Sequence, residues 1–522
     1  MLYRSIKASF SKDQKVRDYL KVRRSVKPFA PKESKILVEA YQVPSNEIAL
    51  DYFLEVYCEQ FQAEPLAYRM LKHRKFGKLI QRLRFHLSNL RAIGCKSLIY
   101  IPFKSNLNLD IADKILKLTK EEIILIRIRD IQFGDLFYDF YLSQSGEHTV
   151  SHESPNLREY ANEFFQYVER WFEIFEEYEI SATCVSHTVY HFGIPSRISI
   201  ARGIPSFQVT LEQVHRISEQ FPMANYDHKV YREIFENLSI ETQLNGLERA
   251  HEDLQRRFRG ESGSDVAYLP APAYSKRKPT KSVLRESDKP KILVAAHDFW
   301  DSPHVYGENF HTDFYEWLLD LGNIAEVTDY DWYIKIHPFL RGKGESILKD
   351  FVSTRPKFTI LDRDTSHNEI IFSGINVALT VYGSIALEYA MFNIPVINAS
   401  ANGPYAKYGF SITPANLSEY RKVLTAVEKI KFEPDDERVL EFYFMKFIFN
   451  LKCWMIPNYD EYLLEVGGYA QSNTTNAFGV FSNSELRVPD QILLRTIERF
   501  IFSGDPRLDR RHFPIDYELP WF

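Results

Sequence analysis

The sequence predicts an α/β protein with two halves, each built on a mainly parallel sheet. Apolar runs of strand length alternate with helical segments over residues 35–209, and the same alternation starts again at Lys291. A stretch rich in Gly, Ser, Pro and Lys, Gly260–Pro290, separates the two patterns and is typical of a linker. Both halves also share an order of small-residue turn, helix and Ile-Pro strand, in Ser186-His187 to Pro205 and in Gly383-Ser384 to Pro395.

These observations divide the chain of 522 residues into five segments. A chain this long is expected to fold as two domains or more. The segments are a basic N-terminal arm (1–34), a first Rossmann-like domain (35–259), a linker (260–290), a second Rossmann-like domain (291–435) and a C-terminal helical segment (436–522). The aromatic stretch Arg438–Trp454 is the part of the last segment that we expect to pack across both domains.

Composition narrows the class of function. Hydrophobic residues make up 45% and charged residues 26%, as in soluble globular proteins, and a net charge of −5 argues against nucleic acid as a partner. The four cysteines are far apart and form no CxxC pair, which argues against a zinc site or a disulfide framework and favours a reducing, cytoplasmic location. The N-terminus lacks the apolar core of a signal peptide, and no uninterrupted apolar run reaches transmembrane length. The basic arm is interpreted as solvated; the alternative is contact with the inner face of the cytoplasmic membrane.

The elements of the first half are predicted from the spacing of apolar residues and from residues that favour turns. Strands are predicted at Lys35–Tyr41, Ser97–Pro102, Ala182–His187 and Gly203–Val209, with a further apolar run at Ile123–Arg129. Helices are predicted from Ser45 or Asn46 through Tyr57, in the basic stretch Lys72–Arg91, and over Asn156–Tyr178, whose aromatic stripe indicates a core face. Residues 213–285 lose the strand pattern, and we expect helices from Tyr231 to Phe258.

The second half contains the most informative stretch of the chain. Strands are predicted at Lys291–His297, Tyr333–Pro338, Phe358–Leu361, Ala378–Tyr382 and Ile394–Asn398. Ligands of open parallel sheets bind at the carboxyl ends of the strands, where His337, Gly383 and Ser384 are expected to lie. Ser384 begins a helix, where free N–H groups favour a phosphate, and Glu388 lies one turn deeper on the same face.

The motifs of this stretch resemble those of GT-B glycosyltransferases of bacterial capsule and surface-polysaccharide biosynthesis. Lys335–Pro338 resembles the His-Pro motif of Kdo transferases, polysialyltransferases and CDP-glycerol glycerophosphotransferases, and Tyr382–Glu388 resembles their Ser…Glu element. Further similar segments are Ile131–Leu142, Val185–Tyr190, His297–His304 and Asp313–Trp317. The resemblance spans roughly residues 120–410. It implies a GT-B fold with a cleft between two Rossmann-like domains, an inverting sugar transfer and no bound metal or other cofactor.

On this basis a nucleotide-activated donor, cytidine-linked such as CMP-Kdo, is expected to bind the second domain. Its predicted ligands are Lys335, His337, Pro338, Tyr382, Gly383, Ser384, Glu388 and His297. His337 would donate a hydrogen bond to the donor phosphate, and Glu388 would accept from ribose hydroxyls. The structural alternatives are a histidine that caps a strand end inside the domain and a solvated helix glutamate. The apolar neighbours of Glu388 indicate a buried helix, where an unpaired carboxylate is costly, so a partner is expected for it.

The acceptor, a glycan or glycolipid, is expected at the first domain and at the polar loop His297–His304. Asp139, Asp135 and His187 are the candidate catalytic bases, and Tyr190, His191, Arg197, Asp301 and His304 are candidate acceptor contacts. Asp135 and Asp139 could instead solvate a loop or cap a helix, His187 could be a strand-end core histidine, and Arg197 could pair within its own helix. A metal site in His297–His304 remains an alternative, although so short a loop rarely supplies every ligand.

Other functions stay open at this point. They are a CDP-alcohol polyol-phosphate transferase, a UDP- or GDP-sugar glycosyltransferase, and a scaffold that binds glycan or nucleotide without turnover. An NAD-dependent enzyme is disfavoured, because no G-x-G-x-x-G follows a predicted strand.

Overall fold

Two parallel α/β sheets organise the computed structural model, which describes residues 14–23, 32–40, 43–71, 95, 97–102, 110–261, 272–277, 279–482, 486–517 and 519. The strands are β1 Lys35–Glu39, β2 Glu64–Leu71, β3 Ser97–Pro102, β4 Arg127–Ile128, β5 Ile131–Gln132, β6 Ile180–Val185, β7 Ser206–Val209, β8 Val214–Ile217, β9 Lys291–Ala295, β10 Asp331–Lys335, β11 Phe358–Ile360, β12 Val377–Thr380 and β13 Val396–Asn398.

The helices between them cover both faces of each sheet. They are α1 Gln14–Val22, α2 Pro44–Gln60, α3 Asp110–Ile115, α4 Lys120–Ile124, α5 Gly134–Ser145, α6 Leu157–Glu177, α7 Ile194–Ala201, α8 Tyr231–Glu236, α9 Ile240–Phe258, α10 Phe314–Val327, α11 Lys343–Ser353, α12 His367–Phe372, α13 Ile385–Ala390, α14 Leu417–Leu424, α15 Asp436–Tyr443, α16 Tyr459–Val466, α17 Tyr469–Ser472, α18 Asn476–Ser482 and α19 Asp490–Ser503.

The first sheet has the order β3-β2-β1-β6-β7-β8 and the second the order β11-β10-β9-β12-β13. Every pairing is parallel except β7 with β8. In each sheet the strand order reverses direction beside the first strand of its domain, between β1 and β6 and between β9 and β12. These are the topological switch points at which open α/β sheets bind ligands. The predicted fold class, two Rossmann-like α/β domains, is confirmed.

The C-terminal segment crosses from one domain to the other, as predicted. Val439 and Phe442 of α15 are buried in the core of the second domain, and a π-helical turn, Phe444–Phe449, follows. The chain then enters the core of the first domain, where Trp454 is 1% exposed and its Nε1–H donates to the Thr210 carbonyl at 3.0 Å. Helix α19 packs against α2 of the first domain.

Some predicted elements differ from the structure. Strand β2 was not predicted, because Pro65 and Arg69 interrupt its apolar pattern, and β8 has only four residues, two of them polar. The apolar run Ile123–Arg129 contributes no strand to the six-stranded sheet. It forms the end of α4 and then β4, which pairs with β5 in a small antiparallel hairpin whose strands have two residues each. The aromatic stripe of α6 is buried in the core, as predicted.

Helix α1 of the N-terminal arm packs one face against the first domain, while Gln14 and Lys15 at its start are exposed. Tyr19 of α1 is 1% exposed and its hydroxyl donates to Asp51 Oδ2 at 2.6 Å. Arg23 donates to the same carboxylate at 2.9 Å and also pairs with Glu55. The rest of the arm and the basic stretch Lys72–Arg91 lie outside the described residues.

Candidate functional site

Three neighbouring strands of the second sheet end at the predicted donor site. His297 follows β9, His337 follows β10, and Gly383 and Ser384 follow β12. Because β9 lies between β10 and β12, these side chains meet at one edge of the sheet, across its switch point. The structure therefore brings together the central part of the predicted donor set.

His297 is held as a neutral side chain that joins two strands. Its Nε2 accepts the Val381 N–H at 3.1 Å and lies 3.0 Å from Thr380 Oγ1, and its ring stacks on Phe314 at 4.5 Å. Burial, with a smaller contribution from the nearby His337, lowers the pKa of His297 to about 3. His297 thus fixes the geometry at the switch point.

His337 is half-buried and keeps a hydrogen-bond donor available. Its Nδ1 accepts the Phe339 N–H in a long hydrogen bond of 3.4 Å, so the proton of the neutral ring belongs on Nε2. Burial lowers the pKa of His337, while Asp298 and Asp301 oppose that effect. The ring is therefore a neutral donor at neutral pH.

Ser384 and Glu388 are linked to each other inside the second domain. The Ser384 hydroxyl donates to Glu388 Oε1 at 3.1 Å, Arg257 donates to the same oxygen at 2.6 Å, and Tyr274 donates to Oε2 at 2.9 Å. Glu388 is 3% exposed; burial raises its pKa, but Arg257, His367 and the hydrogen bonds from Tyr274 and Ser384 together outweigh burial and hold the pKa below the usual range. The expected partner of this carboxylate is thus present, and the alternative of a solvated helix glutamate is wrong. Three side chains already hold Glu388, so its oxygens are not available to ribose hydroxyls in this conformation.

The remaining predicted donor contacts also have structural partners. The Lys335 ammonium donates to the Arg363 carbonyl at 2.6 Å, and burial lowers the pKa of Lys335 to about 8. The Pro338 carbonyl accepts from Arg363 at 3.2 Å. The Tyr382 hydroxyl donates to the Ser302 carbonyl at 2.9 Å. A Cβ atom at Gly383 would lie 2.7 Å from Thr380 Oγ1, so a larger residue would not fit this turn.

At the switch point of the first sheet the structure places a carboxylate that the sequence analysis missed. Glu39, the last residue of β1, is 9% exposed and its Oε2 accepts the Ser186 N–H at 2.7 Å. Burial raises the pKa of Glu39 to about 7, against the effect of that hydrogen bond. The neighbouring His187 has its Nδ1 at 2.9 Å from Ser186 Oγ, and burial lowers the pKa of His187. An acidic residue that ends an apolar strand was the signal available in the sequence.

The two predicted aspartate bases have different surroundings. Asp135 forms an ion pair with Arg197 at 2.6 Å, and Arg197 also donates to the Gln132 carbonyl at 3.1 Å. Arg197 of α7 thus pairs with α5 and not within its own helix, and Asp135 is held by this pair and does not cap α5. Asp139 is fully buried, which rules out direct access to a substrate in this conformation.

Asp139 pairs with His304 across the domain boundary. The His304 Nδ1–H donates to Asp139 Oδ1 at 2.5 Å, while Asp139 Oδ2 and His304 Nε2 are buried without a hydrogen-bond partner among the described residues. Burial raises the pKa of Asp139 to about 6, against the opposing effect of His304. Burial lowers the pKa of His304, but the charge and the hydrogen bond of Asp139 raise it, and the net shift of the His304 pKa is upward.

The loops that follow the two switch points touch each other. The Tyr190 hydroxyl, three residues after His187, donates to Asp301 Oδ1 at 3.4 Å, and Asp301 is exposed. His191 turns away from this contact: its ring packs on Phe140 and Tyr167, at centroid distances of 5.2 and 5.8 Å, as a core histidine does.

Over the described ranges, no group of three or more His, Cys, Asp or Glu side chains is arranged to hold a metal ion. His297 and His304, the two histidines of the predicted polar loop, have separate partners in Val381 and Asp139. None of the helices in the described part of the chain is both long and apolar enough to span a bilayer.

Comparison with known proteins gives no family. No family model matches the chain, and no curated protein matches it. Among solved structures, UDP-GlcNAc 2-epimerase from Neisseria meningitidis bound to UDP-GlcNAc is 9% identical, covers 79% of this chain and 97% of its own, and has a TM-score of 0.25. The N-terminal domain of Candida albicans trehalose-6-phosphate phosphatase is 10% identical (88% and 98% covered, TM-score 0.25), and the calicheamicin glycosyltransferase CalG4 is 11% identical (80% and 94%, TM-score 0.25). Values this low carry no argument about activity, so the fold assignment rests on the two sheets.

Proposed function

We propose that the protein is a nucleotide-sugar-dependent glycosyltransferase with the donor on the second domain and the acceptor on the first. The observation that carries this proposal is the meeting of the two switch-point loops, in which Tyr190 of one contacts Asp301 of the other. A ligand at each switch point would therefore face the other across the domain boundary. Transfer between two bound substrates requires such a placement.

In the proposed reaction an acceptor hydroxyl oxygen bonds to the anomeric carbon of the donor, and the bond from that carbon to the phosphate oxygen breaks. The nucleotide leaves with the electron pair. His337, with its proton on Nε2, is suited to donate a hydrogen bond to the phosphate as negative charge develops there. Ser384, which is exposed beyond the end of β12, is the second proposed contact.

The base that takes the hydroxyl proton is proposed to be Glu39 or His187. A carboxylate with a pKa of about 7 is matched to proton transfer at neutral pH, and a histidine whose pKa is lowered is neutral there and able to accept a proton. Both residues lie at the carboxyl ends of adjacent strands, β1 and β6. Asp139 and Asp135 are weaker candidates, because each is already engaged by a positively charged or titrating partner.

The finer proposal is transfer in the assembly of a bacterial surface polysaccharide of the capsule or lipopolysaccharide type, in the cytoplasm, from a cytidine-linked donor. Only the resemblance of Lys335–Pro338 and Tyr382–Glu388 supports it. The alternatives of a CDP-alcohol, a UDP- or GDP-sugar, or a scaffold without turnover are therefore outcomes of the same experiment.

The test is a thermal-shift titration with CMP, CDP, UDP and GDP on the wild type, on His337→Ala and on the matched control His251→Ala. His251 is exposed on α9. A nucleotide at a hundred times its Kd stabilises the folded state by about 2.7 kcal/mol. We expect CMP or CDP to raise the Tm of the wild type and of the control but not of His337→Ala. A response to UDP or GDP alone would replace the cytidine assignment, and no response to any nucleotide would reject the donor site.

A further inference from the structure

A crevice of about 640 Å³ lies between the two domains, on the side of His304 that is turned away from Asp139. Its walls come from α4 and Leu125, Gln132 of β5 and Asp135 of α5 in the first domain, and from residues 304–312, α10 and α14 in the second. The volume is within the roughly 300–1,000 Å³ typical of small-molecule sites. It is a separate space from the strand ends proposed to hold the donor, because none of His297, His337 and Ser384 lines it.

Three side chains that line this crevice have buried polar atoms without a hydrogen-bond partner among the described residues. They are His304 Nε2, His311 Nδ1 and Asn309 Oδ1. His304 is 7% exposed and the side chain of His311 is 8% exposed. Buried polar groups are normally paired, so three such atoms at one crevice indicate a ligand that supplies the missing partners.

Each imidazole is held in place by a carboxylate on the opposite side of its ring. Asp139 accepts from His304 Nδ1 at 2.5 Å, and Asp320 accepts from His311 Nε2 at 2.9 Å. Asp320 is itself bound by Arg421 at 2.8 Å, so His311 has a fixed support. The second nitrogen of each ring, which is closed off from solvent in this conformation, is therefore held at a set position beside the crevice.

The chemistry of these atoms selects a hydroxyl-rich, neutral ligand. The free imidazole nitrogen accepts when the ring is neutral and donates when it is charged, and a hydroxyl group matches both states. Asn309 Oδ1 only accepts. Asp135, Glu316 and Asp320 on the crevice wall are paired with Arg197, Lys120 and Arg421, but Glu121 and Glu308 keep the wall net negative, so a phosphate or carboxylate is disfavoured. Apolar side chains, among them Leu125 and Leu319, provide surface for the C–H faces of a sugar ring.

We propose that this crevice binds a neutral saccharide unit through His304, His311 and Asn309. The assignment of that saccharide as part of the acceptor glycan rests on the proposed glycosyltransferase function; the binding itself does not. The site would hold a part of the glycan away from the reacting hydroxyl, and it would use surfaces of both domains.

The test is saturation-transfer-difference NMR on the full chain, with N-acetylglucosamine, galactose and maltotriose as probes, and with spermidine and inorganic phosphate as charged comparisons. Three variants locate the signal. His311→Phe keeps a ring but removes the nitrogen. Leu125→Trp fills the mouth of the crevice at a position that is 65% exposed, so it does not disturb a core. Leu244→Trp is the matched control, at a position on α9 that is 61% exposed and outside the crevice.

We expect transfer to at least one saccharide in the wild type and in Leu244→Trp, its loss in Leu125→Trp, and a Kd about five to ten times higher in His311→Phe, as for one lost hydrogen bond. The proposal is overturned if no saccharide shows transfer, if Leu125→Trp and His311→Phe bind like the wild type, or if only spermidine or phosphate binds. Saccharide binding at the crevice without any nucleotide response would retain this site and reject the transferase. A nucleotide response without saccharide binding would do the reverse.

Discussion

Replacing Glu39 by Gln tests the buried carboxylate at the switch point of the first sheet. The change keeps the size of the side chain and an oxygen that can accept the Ser186 N–H, which now lies 2.7 Å from Oε2. It removes the charge and replaces the other oxygen by an NH2 group. Because burial raises the pKa of Glu39 to about 7, the folded protein holds this proton more tightly than the unfolded chain does. The ionised form of Glu39 therefore destabilises the fold.

The size of the effect follows from the two pKa values and depends on pH. A carboxyl with a pKa of about 7 when folded and an ordinary value of 4.5 when unfolded costs about 1 kcal/mol at pH 5 and about 3 kcal/mol at pH 8. The cost grows as pH rises between those pKa values and is constant above pH 7. Glu39→Gln should thus raise the free energy of unfolding by about 1 kcal/mol at pH 5 and by about 3 kcal/mol at pH 8.

The assay is urea denaturation followed by tryptophan fluorescence between pH 5 and pH 8, for the wild type, Glu39→Gln and Glu153→Gln. Glu153 is exposed, so its variant should match the wild type within about 0.5 kcal/mol at every pH. If Glu39 is the base, Glu39→Gln should also lose turnover while it gains stability. The assignment of a raised pKa would be refuted if Glu39→Gln were less stable than the wild type. It would also be refuted if the gain in the free energy of unfolding were the same at every pH.

Two further predictions concern buried pairs. Arg257→Met leaves the Glu388 carboxylate buried without its cation and should lower the free energy of unfolding by about 3–5 kcal/mol in the same denaturation assay. Adding Glu388→Gln should recover most of that loss. If the effects of the two substitutions on the free energy of unfolding simply add, the pairing is contradicted. Asp139→Asn should lower the pKa of His304, because Asp139 raises that pKa against the effect of burial. The pKa is measured by NMR titration of the imidazole nitrogens. An unchanged His304 pKa would mean that the two side chains do not interact.

Much of the fold could be predicted because strands that are buried on both faces are continuous apolar runs. β9, β10, β12 and β13 were found in this way, within one to three residues of their ends. The strands that were missed lack that signal. β2 contains Pro65 and Arg69, and the four-residue β8 alternates apolar and polar side chains at the edge of its sheet, so neither pattern separates a strand from a loop.

The site was predictable only as far as the strand ends. A residue that follows a central strand must lie at the carboxyl edge of the sheet, and this placed His297, His337 and Ser384 correctly relative to one another. The partner of a side chain depends instead on contacts between segments distant in the chain. Arg257 meets Glu388 over 131 positions, and Asp139 meets His304 over 165. No local pattern in the sequence carries such pairings, and for this reason structural and functional roles of these carboxylates could not be separated.

These long-range pairs also connect the donor site to the domain boundary. The segment after β9 starts at His297, which is held by Val381 of the second domain, and it ends at Asp313, which caps α10. Two side chains of the first domain also hold this segment. Asp139 holds His304, and the Tyr138 hydroxyl donates to Asp313 at 2.6 Å. The segment is therefore anchored to both domains: its two ends belong to the second domain, and two of its residues are held by side chains of the first. The His304–Asp139 pair, in which each group shifts the pKa of the other, is one of these two links.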